Sequence, residues 1–111
     1  ERQDALYAML DRHRLDVLLV IGGYNSSNTT HLLEIGVEKG VPTFHIQDAS
    51  GIAGAQLIRH QSLHQTSQTT SRGWLKEGPG AIGVTAGAST PNAEIERVIR
   101  RVAGIRGIEL A

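Results

Sequence analysis

The stretch Asp16-Val17-Leu18-Leu19-Val20-Ile21-Gly22-Gly23-Tyr24-Asn25-Ser26-Ser27-Asn28-Thr29-Thr30 decides the fold. Residues 16–21 form an apolar run rich in branched side chains, which reads as a buried parallel strand. Gly22-Gly23 ends the run abruptly. Asn28 or Thr29 can then cap a helix that reaches about Lys39 and stops at Gly40. On that helix Leu32, Leu33, Gly36 and Val37 are expected to face inward. A strand running into a glycine turn and then a helix is the first half of a βα unit.

Working outward, residues 2–13 read as a helix with Ala5, Leu6, Met9, Leu10 and His13 on one face. Residues 41–46 read as a second strand, and Pro42 near its start suggests a place close to the sheet edge. Residues 48–54 read as a loop, with Asp48 as a cap, and residues 55–65 as a helix carrying Leu57 and Ile58. Residues 66–73 are polar and without period, so 50–73 as a whole reads as a mobile insert, with Trp74-Leu75 pinning it back onto the domain. Residues 81–84 form a third short strand. Pro91 suits the first helical position after a Thr90 cap, and Ile95, Val98, Ile99 and Val102 mark a helical stripe. The alternation predicts an α/β fold: a small parallel sheet, strands in the order second–first–third, with helices on both faces.

At 111 residues the chain is expected to be one domain, 1–111. It has no cysteine, which excludes a disulfide framework and an iron–sulfur cluster held by this chain alone. Its 11 basic and 11 acidic residues balance, giving no sign of nucleic-acid binding or of an anionic membrane surface. No apolar run approaches the roughly 20 residues of a membrane span. The chain opens on Glu1, with neither a secretory signal nor a methionine, and it reads as a piece of a longer protein.

Two loops carry chemistry. The first, residues 22–30, links a strand to a helix start, where unpaired N–H groups and a partial positive charge gather. Its glycines permit close approach, and Ser26, Ser27 and Asn28 add short donors. The second, Thr85-Ala86-Gly87-Ala88-Ser89-Thr90-Pro91, repeats the arrangement. Ligands of open parallel sheets bind beyond the carboxyl ends of the strands, where strand order reverses. Two such loops on neighbouring strands would hold two adjacent phosphoryl groups. Neither loop contains Lys or Arg, so neither is a Walker-type loop. Ser, Thr and Asn are also ordinary helix caps, so a structural role stands beside the ligand-binding one.

Other residues carry weaker signals. His60 and His64 stand four apart, as helical zinc ligands can, with no third ligand nearby in sequence. His31 is either a charge beside the first loop or a solvent-facing polar group, and His45 a satisfied core or edge residue. Tyr24 either lines the site or packs on its loop. Arg97, Arg100, Arg101 and Arg106 form a basic run of the kind that usually faces solvent. No catalytic residue and no metal ligand is assigned.

The runs 20–29 and 83–91 resemble signatures of the LytB/IspH family, the 4-hydroxy-3-methylbut-2-enyl diphosphate reductases. So do Glu1-Arg2-Gln3-Asp4-Ala5 and Glu38-Lys39-Gly40-Val41-Pro42-Thr43, and Trp74-Leu75 is similar to the cyanobacterial and plastid branch. The resemblance covers nearly the whole chain and is weakest over 50–73. It implies one lobe, the C-terminal one, of a three-lobed parent enzyme of the cytoplasm or plastid stroma. In that parent three cysteines, one per lobe, hold a 4Fe-4S cluster. Electrons from a donor such as ferredoxin or flavodoxin remove the substrate's allylic hydroxyl, the last step of non-mevalonate isoprenoid biosynthesis. Ser26, Ser27, Asn28 and Ser89 match diphosphate-binding positions. The third cluster cysteine would precede Glu1. The other two, the diphosphate-binding histidines and the proton-delivering glutamate would lie in other lobes, so this chain alone is expected to be inactive. The alternative is a stand-alone phosphate- or nucleotide-binding α/β module without catalysis.

Overall fold

Alternate side chains of the central strand point to opposite faces, and each face finds its own core. In the computed structural model, which describes residues 2–63, 65–75 and 80–106, this strand is β1 (Val17–Ile21), fully buried along its length. Leu18 and Val20 pack with Leu6 of α1 (Arg2–Arg12) and with Leu32 and Ile35 of α2 (Ser27–Glu38). Val17, Leu19 and Ile21 point the other way, into a core shared with Val98 and Val102.

The parallel sheet has three strands. β2 (Thr43–Ile46) lies on one side of β1, and on the other lies a strand over Ile82–Ala86, the last in the chain. Both pairings are parallel, giving the expected order with the strand that comes first in the chain at the centre. Pro42 therefore does precede an edge strand, and its carbonyl accepts from Leu18 N–H at 2.9 Å. The last helix, α3 (Asn92–Arg106), covers the face opposite α1 and α2. The α/β reading with helices on both faces holds.

The insert differs from its expectation. Residues 55–65 hold no helix among those described; they contain β4 (Leu57–His60), preceded by β3 (Ile52–Gly54). Within 66–73, read as irregular, Thr69–Arg72 forms β5. The three strands pair antiparallel in the order β3-β4-β5, so the strand over Ile82–Ala86 is β6. This small sheet shares the α3-side core through Ile52 and Ile58. Trp74 and Leu75 do pin it: both are buried, and the Trp74 indole N–H donates to the Gly54 carbonyl at 2.8 Å. Asp48 caps a short 3-10 turn over Ala49–Gly51, accepting from Ser50 N–H at 2.9 Å.

Several boundaries and faces also shift. The second strand begins at Thr43 rather than 41, and the third runs Ile82–Ala86 rather than 81–84. Ala5 and His13 are exposed, leaving Leu6, Met9 and Leu10 as the inner face of α1. Val37 and Ile99, expected inside, are 48% and 40% exposed. Each lies at the margin of an apolar stripe wider than the core it covers.

Candidate anion site between two loops

Ile21 stands opposite Ala86 in the β1–β6 register, so the two serine loops leave the sheet from adjacent positions. Hydrogen bonds then join them. Gly87 N–H donates to the Ile21 carbonyl at 2.9 Å, and the Thr90 hydroxyl donates to the same oxygen at 3.2 Å. Thr90 therefore ties loop to strand instead of capping α3 through its hydroxyl. That helix begins at Asn92, and Pro91 precedes it.

The cap of α2 is Ser26, not Asn28 or Thr29. Ser26 has extended backbone angles (φ −84°, ψ 117°), and its hydroxyl oxygen accepts from Thr29 N–H at 3.4 Å. Asn28 is thereby left for another task. Its Oδ1 accepts from Ala88 N–H at 2.9 Å, across 60 residues of chain. An amide whose oxygen is taken presents its NH2 as the remaining polar group, and that group can only donate. Ser27 and Asn28 also open the helix, where backbone N–H groups have no acceptor in the preceding turn. No acidic residue occupies the first turn of α2, so its partial positive charge is not offset there. Ser27 and Ser89 are exposed, and Ser26 and Asn28 are partly buried.

Thr29, read from the sequence as a possible helix cap, sits instead inside the helix at the junction of the two loops. It is fully buried, and its Oγ1 has no hydrogen-bond partner among the described residues. A Cβ on Gly22 or on Gly87 would overlap that oxygen. Both glycines are thus required by close approach of the two loops to one side chain. A glycine following each of the two strands was the available signal.

His45 reaches the first loop from β2. It is 2% exposed, and its Nε2 lies 2.9 Å from the Gly22 carbonyl. A carbonyl only accepts, so Nε2 carries the proton. Burial lowers the pKa of His45, and the bond to Gly22 offsets part of that effect. Tyr24 packs edge-on against the His45 ring, with centroids 4.9 Å apart, and its hydroxyl accepts from Gln68 Nε2 at 2.9 Å.

The weaker candidates separate from the site. His60 lies on β4, with its Nε2 2.7 Å from Ser71 Oγ; burial, then repulsion from His45, lowers its pKa. His64 is outside the described residues, and a helical His60–His64 pair is excluded by the strand at His60. His31 is exposed and lies 3.5 Å from Glu34. Arg97 and Arg100 pair along α3 with Glu94 and Glu96, while Arg101 donates to the Ile52 and Ala53 carbonyls. Cavities of about 430 and 380 Å³ lie away from the loops, the first near Arg12, Arg14 and Lys39, the second beside Met9, Ile82 and Ile99.

The chain is similar to proteins of one kind. A curated relative from Gloeobacter violaceus, named 4-hydroxy-3-methylbut-2-enyl diphosphate reductase, is 50% identical over 97% of this chain and 26% of its own length. One of the same name from Thermosynechococcus vestitus is 45% identical over the same shares. The chain therefore spans about a quarter of the length of these relatives. A solved structure of (E)-4-hydroxy-3-methyl-but-2-enyl diphosphate reductase, described as the terminal enzyme of the non-mevalonate pathway, superposes with a TM-score of 0.68. It is 31% identical over 94% of this chain and 30% of its own. The family model for LytB protein matches residues 1–103. The chain belongs to the LytB family.

Proposed function

We propose that this chain is the part of a 4-hydroxy-3-methylbut-2-enyl diphosphate reductase that contributes contacts to the substrate's diphosphate. The parent's work is the terminal step of non-mevalonate isoprenoid biosynthesis, in a bacterial cytoplasm or a plastid stroma. The Asn28–Ala88 hydrogen bond carries the reading, because it makes one cradle of two loops and, by engaging the Asn28 oxygen, leaves the donating NH2 for a ligand. The Ser26 hydroxyl accepts from Thr29 N–H and so keeps its own proton for a ligand oxygen, and the exposed Ser27 and Ser89 supply further hydroxyls.

The cradle offers hydrogen bonds and a helix end, with no Lys or Arg in either loop. Further positive charge for a diphosphate would come from the remainder of the parent. A 4Fe-4S cluster does not fit the residues present: the chain has no cysteine, and no three ligating side chains converge among the described residues. We place the cluster, and the docking of a donor such as ferredoxin or flavodoxin, outside the site described here. Recognition without turnover is then the share of this chain.

A hydrogen bond to a charged group contributes about 1.5–3 kcal/mol. Ser89→Ala in the full-length parent should therefore lower kcat/KM by about 10- to 150-fold. Ser26→Ala should do at least as much, since it also removes the α2 cap. Unaltered kinetics in both variants would overturn the assignment.

A further inference from the structure

We propose that His45 is a positioning residue of the anion cradle, holding the Gly22–Gly23 peptide so that the Gly23 N–H faces the exposed side of the first loop. The inference rests on the diphosphate reading above and deepens it.

Gly22 is gripped from β2 at both of its polar groups. Its N–H donates to the Ile46 carbonyl at 3.0 Å, and its carbonyl accepts from His45 Nε2 at 2.9 Å. In a trans peptide the C=O and the following N–H point in opposite directions. Drawing the Gly22 carbonyl inward to a buried ring therefore turns the Gly23 N–H outward. Gly23 is exposed, and a Cβ built on it would meet nothing within 4 Å, so this stretch of backbone is open to solvent. The Gly23 carbonyl in turn accepts from Ser26 N–H at 3.1 Å, which carries the same orientation on to the cap serine.

Volume alone does not call for histidine here. An aliphatic side chain would fill the place without burying an imidazole, whose polar atoms need partners. Tyr24 closes over the ring and, through Gln68, secures the far side of the loop to the chain between β4 and β5. His45 thus acts on the ligand only through Gly22, as a clamp on backbone geometry.

The test compares His45→Gln with His45→Asn in the full-length reductase. Both introduce a primary amide, but only glutamine places its nitrogen where Nε2 stands. His45→Asn should raise KM for the allylic diphosphate about 2- to 13-fold, the range of one neutral hydrogen bond, with kcat little changed. His45→Gln should restore KM toward the parent value. His60→Asn, which alters a buried histidine bonded to Ser71 instead, should leave KM alone. Equal KM values for the Asn and Gln variants, a rise with His60→Asn, or a loss in kcat in place of KM would overturn the clamp. Ser26→Ala in the same assay separates the two claims. If it raises KM while His45→Asn does not, only the clamp fails; if neither does, the diphosphate reading fails. Should His45→Asn not fold, the unsubstituted, isotope-labelled protein still answers: pyrophosphate should shift the Gly23 amide resonance, and an unmoved Gly23 amide overturns the proposal.

Discussion

Gly87→Ala should destabilise the chain, and Thr29→Ala should rescue it. A Cβ at residue 87 overlaps Thr29 Oγ1, and that threonine is fully buried, so the overlap is not relieved by swinging the side chain into solvent. Overpacking of this kind costs about 1–3 kcal/mol. Thr29→Ala alone deletes one methyl and a hydroxyl that has no partner among the described residues, and should cost about 0.5–1.5 kcal/mol. In the double variant the new methyl meets Thr29's Cβ position at 3.4 Å, close to ordinary contact. Removing the overlap should therefore couple the two sites favourably by about 1–2 kcal/mol. Trp74 is the single tryptophan and is buried, so its fluorescence reports urea unfolding directly. Gly87→Ala should lower the midpoint by about 1 M at the m-values usual for small domains, and the double variant should recover much of that. A Gly87→Ala chain with the parent midpoint, or a double variant no better than the sum of the singles, would refute the reasoning.

Asn28 and the two buried histidines give two further expected outcomes. Asn28→Asp keeps an oxygen to accept from Ala88 N–H and adds a negative charge at the start of α2, so urea stability should hold or rise by about 0.3–1 kcal/mol. The same change replaces a donor with an anion at the cradle, so full-length enzyme carrying it should lose diphosphate affinity; retained affinity would remove Asn28 from the site. The second concerns pH. Burial sets the native pKa of His45 and His60 below the ordinary 6.5, so the unfolded chain takes up protons first as the solution is acidified. Stability should be full above 6.5, fall as pH drops through 6.5 toward the lower native values, and level off below them. Urea midpoints between pH 7.5 and 5 check the slope, and His45→Gln should flatten it.

The parallel core was legible because its signals are redundant. Residues 17–21 are apolar without a break, and Val98 and Val102 sit at helical spacing, so boundary errors of one or two residues left the architecture intact. The antiparallel sheet was not legible. β5 (Thr-Thr-Ser-Arg) is largely exposed and has no apolar residue to set a period of two, and in β4 one inward position is a histidine bonded to Ser71. Two adjacent apolar residues, Leu57 and Ile58, fit a helix as well as a strand. At the site, the residue types were legible and the division of labour was not. Ser26, Asn28, Thr29 and Thr90 can each cap a helix, and only the packing of one loop on the other decides which does. Ser26 caps, Asn28 bridges to Ala88, Thr90 ties to Ile21, and Thr29 is enclosed between glycines. His45 read as a satisfied core or edge group, and it is a buried, hydrogen-bonded one; that its partner lies in the first loop depends on the β1–β2 register.

The central claim is that two loops make one anion site. The most direct measurement is a pyrophosphate titration of the isotope-labelled chain, followed residue by residue. The account predicts that the amides of Ser27, Asn28, Ala88 and Ser89 shift together along a single, weak binding curve. Shifts confined to one loop, separate curves for the two, or no shift at millimolar pyrophosphate would contradict it.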